Sequence, residues 1–155
     1  TFRVDLPEVA TRVRADSVRL NQIIQNLVDN AVKYTPKYGN IGIMAEAPSN
    51  GMVHFRVSDT GIGIAAEAQR RLFQPFSRVS DEQTSAISGS GLGLYIARNL
   101  VRQHGGDMWL ESEPGEGTTV HFTIPSVASA PTPIPSPMAQ FPDAPTSAIA
   151  PPMPG

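Results

Sequence analysis

The chain contains no cysteine. That absence removes disulfides, thiolate catalysis and Cys-ligated zinc together, and it fits a reducing compartment. An excess of basic charge is missing too: the formal net charge of −2 gives no field to draw nucleic acid to the surface. No run approaches the ~18 apolar residues of a membrane helix. The opening TFRVDLPEVA has neither the basic start nor the apolar stretch of a signal peptide. No internal repeat is visible. What remains is 155 residues, one domain's worth and enough to bury a core. A first residue other than Met, in a segment that reads as a strand, is expected of a fragment of something longer.

Phe2, Val4 and Leu6 alternate with Arg3 and Asp5, the period of a half-buried strand ended by Pro7. Asp16 is a good N-cap for a helix running to about Tyr34, stopped by Pro36. Leu20, Ile23, Ile24, Leu27, Val28 and Ala31 give that helix one apolar face. Ile41, Ile43 and Ala45 alternate as a second strand. Ser49-Asn50-Gly51 then predicts a hairpin into Val53, Phe55 and Val57. A short polar helix is expected over about 65–72, and a polar, mobile loop over Ser77–Ser90. A second long helix reads from Gly91 to His104, capped by Gly105-Gly106. Met108 and Leu110, then Val120, Phe122 and Ile124, form closing strands. These elements predict a two-layer α/β sandwich over residues 1–125, a mixed, mostly antiparallel sheet with helices on one face. Nine of the fifteen prolines fall in 126–155, a tail expected to be extended or disordered, as a linker or a ligand for a proline-reading module.

Three features carry chemistry. Asn26, Asn30 and Lys33 fall at i, i+4 and i+7, on one stripe of the first helix. Two carboxamides and an ammonium there could hold Mg²⁺ and a phosphate chain; alternatively they are solvated polar residues. Asp59 at a strand's end, followed by Gly61 and Gly63, could accept a hydrogen bond from an exocyclic amino group while the glycines allow close approach, or could be an ordinary capped turn. Gly89, Ser90, Gly91, Leu92, Gly93 and Leu94 open the second helix, whose free N–H groups suit phosphate. Neither a G-x-G-x-x-G pattern nor a P-loop Lys-Ser/Thr is present, which weakens the dinucleotide-fold and Walker readings.

The order of these motifs resembles the catalytic ATP-binding domain of sensor histidine kinases, over about Phe2 to Pro125. That superfamily includes the ATPase domains of type II topoisomerases, a heat-shock chaperone and a mismatch-repair protein. NLVDNAVKYTP looks like the N box, DTGIGI the first glycine box, LFQPF the F box and GSGLGL the second glycine box. GEGTTVHF is similar to the family's last glycine turn and closing strand.

The resemblance implies a Bergerat-type sandwich with Asn26 and Asn30 beside Mg²⁺ and phosphates, Lys33 pairing phosphate, and Tyr34 near the adenine. Asp59 would bond the adenine amino group, with Gly61, Gly63 and Ile64 letting the base approach. Phe73 and Phe76 would anchor the lid, Phe76 also counting with the nucleotide-binding residues, though core packing is the plainer reading of both. Arg78 would reach the terminal phosphate, and Gly89, Ser90, Gly91, Leu92, Gly93 and Leu94 would cradle the triphosphate.

ATP-hydrolysing cousins carry a water-activating Glu four residues before the second Asn. Asn26 occupies that position and is no base at neutral pH. A site that binds ATP without activating water suits γ-phosphoryl transfer to a protein histidine, by positioning and charge neutralisation. His54, His104 and His121 all lack the H-E/D-x-x-x-P-like helical setting of a phosphoacceptor. The acceptor is therefore expected on a separate dimerisation and histidine-phosphotransfer domain, which then serves a response regulator; the chain alone should bind ATP without labelling itself. The resemblance also implies a cytoplasmic location, whether or not the parent protein is anchored in a membrane, and no membrane or nucleic-acid contact by this fragment. The lid departs from many relatives: 80–90 carries no basic residue and adds Asp81 and Glu82. Two other readings stay open, a non-catalytic nucleotide-binding regulatory domain and an anti-sigma-type serine kinase of the same fold.

Overall fold

The computed structural model describes residues 1–8, 11–78 and 89–127. Strand β1 (Phe2–Asp5) leads to helix α1 (Ser17–Tyr34), then β2 (Ile41–Ala45) and β3 (Met52–Asp59). Helices α2 (Ala66–Gln69) and α3 (Gly93–Gln103) precede β4 (Met108–Glu113) and β5 (Gly117–Pro125). Asp16 caps α1 as its residue type dictates, Oδ1 accepting the N–H groups of Val18 at 2.9 Å and Arg19 at 3.0 Å. Asn50 and Gly51 both take positive φ, as a two-residue hairpin with the native twist requires.

The sheet order is β1-β2-β3-β5-β4. β1 runs parallel to β2 through the α1 crossover, and every other pair is antiparallel. α1 and α3 lie side by side on one face, giving the expected two-layer sandwich. Between the layers Ile23, Leu27 and Ala31 of α1 and Ala97, Leu100 and Val101 of α3 meet Val57, Met108, Val120, Phe122 and Ile124. Phe122 stacks on Phe55 with ring centroids 4.7 Å apart. His104 ties the helices at their far ends. Its Nδ1 lies 2.6 Å from the Leu100 carbonyl, and its Nε2 accepts the Asp16 N–H at 3.2 Å.

Four expectations shift. β1 is exposed along its whole length rather than half-buried; Phe2 and Val4 face the helix side, as their partners Ile41 and Ile43 do, but belong to the edge strand. α2 is one turn long, because 65–72 has no apolar period to bury. α3 starts at Gly93, two residues later than read. Backbone pairing continues past Pro125, with Ser126 N–H on the Gly51 carbonyl at 2.8 Å and Val127 N–H on the Arg12 carbonyl at 2.9 Å. The expected mobile loop over 77–90 and the tail beyond 127 fall mostly or wholly outside the described residues.

The other face of the sheet carries a stack of rings. His54, Trp109 and His121 cluster as a triangle of rings, the His121 centroid 5.2 Å from each of the others and those two 5.4 Å apart. Glu46 sits 3.2 Å from His54 Nδ1 and also pairs with Arg56. Because that carboxylate only accepts, His54 presents a bare Nε2 to His121 Nδ1 at 3.1 Å. His121 Nε2 is then left buried and unpartnered, with Glu111 Oε2 at 3.8 Å. Burial pushes the His121 imidazole below its ordinary value; Glu111 and Glu46 oppose this, while His54 and Arg56 add to it. A histidine held neutral in the fold contributes stability above its unfolded value of 6.5, and that contribution is lost as pH falls through the depressed one. His121→Phe keeps a ring in the stack and removes the orphaned nitrogen. It should be within about 1 kcal/mol of wild type at pH 7.5, with a flatter decline below pH 6.5; melting curves across that range test it.

Candidate nucleotide site

The C-terminal half of α1, the end of β3, the start of β5 and the entry to α3 enclose a cavity of ≈ 310 Å³. Its floor is apolar, from Val57, Ile62, Leu72, Leu94, Ile96, Leu110 and Val120, the kind of surface a planar base covers. Its polar groups lie towards two ends. At one, Asn26, Asn30 and Lys33 line the wall from α1, as the helical stripe predicts, while Tyr34, whose carbonyl accepts the Ile62 N–H at 3.2 Å, lies towards the other. Gly89, Ser90, Gly91, Leu92 and Gly93 lie opposite, with Ser77 and Arg78 beside them. The two sides approach closely: a Cβ on Gly93 would stand 3.9 Å from both carboxamide atoms of Asn30, and one on Gly89 3.8 Å from Lys33 Nζ. The N-cap residue of α3, Leu92, makes no side-chain capping bond, so the first-turn N–H groups are left for a ligand.

At the other end stands Asp59. Its Oδ1 accepts the Gly61 N–H at 2.8 Å, and the Thr118 N–H supports the same carboxylate. Burial nevertheless raises its pKa above 3.8, the two N–H bonds only partly offsetting desolvation. A half-buried carboxylate with lone pairs left over can accept a hydrogen bond from a ligand's amino group.

Two residues expected at the ligand stand outside the cavity lining. Phe76 is 74% exposed with φ of 60°, turned away from the site, whereas Phe73 packs on the core under the Arg98 guanidinium at 4.6 Å. Gly61 lies behind the carboxylate; a Cβ there would meet the Tyr34 carbonyl at 2.5 Å and Asp59 Oδ1 at 2.6 Å. Gly63 and Ile64 do line the cavity, but Gly63 is required by a different neighbour. A Cβ on it would fall 1.8 Å from the Glu113 carbonyl. Gly91 brings the two feet of segment 77–90 together, its α-carbon facing the Ser77 carbonyl.

Two lining residues escaped the sequence reading. Thr118 is paired with Asp59 across β3 and β5, a register that only the assembled sheet reveals. Asp29, on the exposed side of α1, borders the cavity one residue before Asn30. A carboxylate therefore borders the cavity although the position of Asn26 itself offers no base.

Among the described residues no three His, Cys, Asp or Glu side chains gather as metal ligands. A divalent ion here would need carboxamide oxygens and a ligand's own phosphates, which is the donor set Mg²⁺ accepts. The buried Nδ2 of Asn26 has no partner, a cost of about 1–3 kcal/mol that a bound anion would relieve. Among the described residues no helix is long and apolar enough to cross a membrane.

Residues 15–128 match the family described as histidine kinase-, DNA gyrase B- and HSP90-like ATPase. The chain is 39% identical over 125 residues to the non-motile and phage-resistance protein of Caulobacter vibrioides, covering 79% of this chain and 15% of that protein. It is 40% identical over 124 residues to the adaptive-response sensory kinase SasA of Thermosynechococcus vestitus, covering 80% and 32%. The fold superposes on a mycobacterial sensor histidine kinase, MprB, with a TM-score of 0.69 and 29% identity over 81% of this chain and 80% of that one. The chain thus spans less than a third of either curated relative. With the ATP-binding motifs gathered round one cavity and the match running through all of them, the chain belongs to the histidine kinase-, DNA gyrase B- and HSP90-like ATPase family, in the branch of the sensor histidine kinase catalytic domains.

Proposed function

We propose that this domain binds Mg-ATP in the cavity and transfers the γ-phosphoryl group to a histidine on a separate dimerisation domain of its parent protein. A response regulator then takes the phosphoryl group, and the reaction takes place in the cytoplasm. The observation carrying this reading is the convergence of Asn30, Lys33, Asp59 and the Gly89–Gly93 turn on one cavity, with a carboxamide, Asn26, at the position where hydrolysing relatives hold a general base. Asp59 accepts from the adenine amino group. The α3 N-terminus, Lys33 and Arg78 face the phosphates. Asn26 and Asn30 would hold Mg²⁺ by their carboxamide oxygens, where the ion supplies charge neutralisation across the phosphate chain. Phosphoryl transfer needs little more than such positioning, since its transition state asks for in-line geometry and dispersed charge.

The test is a mixing experiment. The chain, labelled Mg-ATP and a dimerisation domain from a kinase of this branch should give acid-labile, base-stable label on that domain and none on the chain. Acid-stable label would replace histidine by serine. ATP binding without label would make this a regulatory nucleotide-binding domain. Release of inorganic phosphate that disappears in Asp29→Asn would favour hydrolysis, the second reading, because Asp29 borders the cavity.

A further inference from the structure

The sheet face turned away from the nucleotide cavity carries a relay of hydrogen bonds that ends on an unused nitrogen. Glu46 Oε2 accepts from His54 Nδ1 at 3.2 Å, which leaves His54 Nε2 to accept from His121 Nδ1 at 3.1 Å. His121 Nε2 is thereby fixed as a bare lone pair. His121 is only 7% exposed, and that nitrogen has no hydrogen-bond partner. Glu111 Oε2 stands 3.8 Å from it. An ionised carboxylate and a bare ring nitrogen are both acceptors, so no hydrogen bond can form between them. Two lone-pair donors facing each other with no proton between them suit a cation.

We propose that His121 Nε2 and Glu111 bind a divalent, zinc-like ion on this face, with waters filling its remaining positions. Imidazole nitrogen and carboxylate oxygen are both ordinary zinc ligands, and tetrahedral geometry would hold them about 3.4 Å apart. The Glu111 side chain is 73% exposed and can close that small difference. Glu46 and His54 are the outer partners such a site needs, because a ligating histidine that donates its other N–H has its tautomer fixed and its basicity raised. Arg56, the guanidinium that bears on His121, is itself paired with Glu46, which lessens its opposition to a further positive charge. Burial keeps His121 neutral, so protons compete weakly for Nε2 near neutrality. Only two protein donors meet here, in keeping with the lack of any three-residue metal group among the described residues. The site is therefore a weak, exchangeable one that ties β5 to β4, and it is independent of the nucleotide reading.

Trp109 is the chain's single tryptophan, and its ring centroid lies 5.2 Å from that of His121, so it reports on the site. The full chain, free of nucleotide at pH 7.5, should bind Zn²⁺ by calorimetry, and Ni²⁺ should quench its tryptophan emission. His121→Phe keeps a ring and Glu111→Gln removes the charge from an exposed side chain; each should weaken Zn²⁺ by about tenfold or more. Glu46→Gln touches neither donor, yet it should cost about tenfold through the histidine tautomers. Acidification should release the ion as Nε2 takes up a proton. Zn²⁺ affinity or Ni²⁺ quenching that survives in His121→Phe would mark an adventitious ion only and overturn the inference. No binding of Zn²⁺ at millimolar concentration overturns it equally, as does full affinity in Glu111→Gln. Melting curves check that the variants fold; should His121→Phe fail to, Glu111→Gln decides alone.

Discussion

Asp59→Asn should weaken ATP binding by about 10- to 100-fold, on the order of 1–3 kcal/mol, while leaving the unliganded protein as stable as wild type or more so at pH 7. The two effects separate because Asp59 is a burden on the fold. Desolvation raises its pKa above 3.8 despite the N–H groups of Gly61 and Thr118. An acid whose folded value is raised binds its proton more readily in the native state. Stability therefore falls as pH rises from 3.8 through the raised value, and the cost is complete above it. The carboxamide keeps an oxygen for the Gly61 N–H and carries no charge to desolvate. It would, however, turn an amino group towards the adenine amino group, setting donor against donor. In wild type, ATP affinity should also decline on acidification as Asp59 takes up its proton, beginning above the ordinary carboxylate range; the Asn variant should lack this limb. Calorimetric titrations and melting curves at several pH values read both effects. A melting temperature that drops in step with affinity would mean Asp59 is a structural residue.

Gly63→Ala should cost both stability and binding, about 2–5 kcal/mol of folding free energy from a left-handed φ and an overpacked contact together. Gly63 has φ of 69°, and a Cβ there would stand 1.8 Å from the Glu113 carbonyl and 3.0 Å from Pro114 Cα. Both neighbours are backbone, so no side-chain rotation relieves the clash. The turn would have to lift off the β4–β5 hairpin, breaking the bond between the Gly115 N–H and the Ile62 carbonyl. The thermal shift produced by ATP should vanish, since Gly63 and Ile64 of that turn line the cavity. Gly51→Ala is the control. Its φ is 75°, but nothing lies within 4 Å of the added carbon, so it should cost roughly 1–2 kcal/mol and leave the ATP-induced shift intact. Equal losses of that shift in both variants would show that the Glu113 contact plays no part in forming the pocket.

These two glycines also show where a linear reading of the chain succeeds and where it stops. Local chemistry was enough for the Asp16 cap, for the apolar face of α1 and for the Asn50-Gly51 hairpin, because each depends on residues a few positions apart. The polar stripe of Asn26, Asn30 and Lys33 followed from helical spacing in the same way. Gly63 was legible as a flexible residue, but the neighbour that demands it, Glu113, lies fifty positions on. Thr118 was missed for the same reason: its place beside Asp59 is a matter of strand register. Alternation marked β1 correctly as a strand. It could not show that two helices leave the edge of a five-stranded sheet uncovered. Phe76 was read with Phe73 because both belong to one short aromatic motif; a single left-handed residue sends the second ring to solvent.

The pairing of Val127 with Arg12 has a practical corollary. Thr118 and Pro125 are seven steps apart on β5, about 23 Å at 3.3 Å per residue, and the chain leaves the sheet at the end remote from the ligand. A fluorophore, affinity handle or surface tether joined after Val127 would start on the opposite pole of the molecule. Immobilising the domain there should leave nucleotide entry unobstructed.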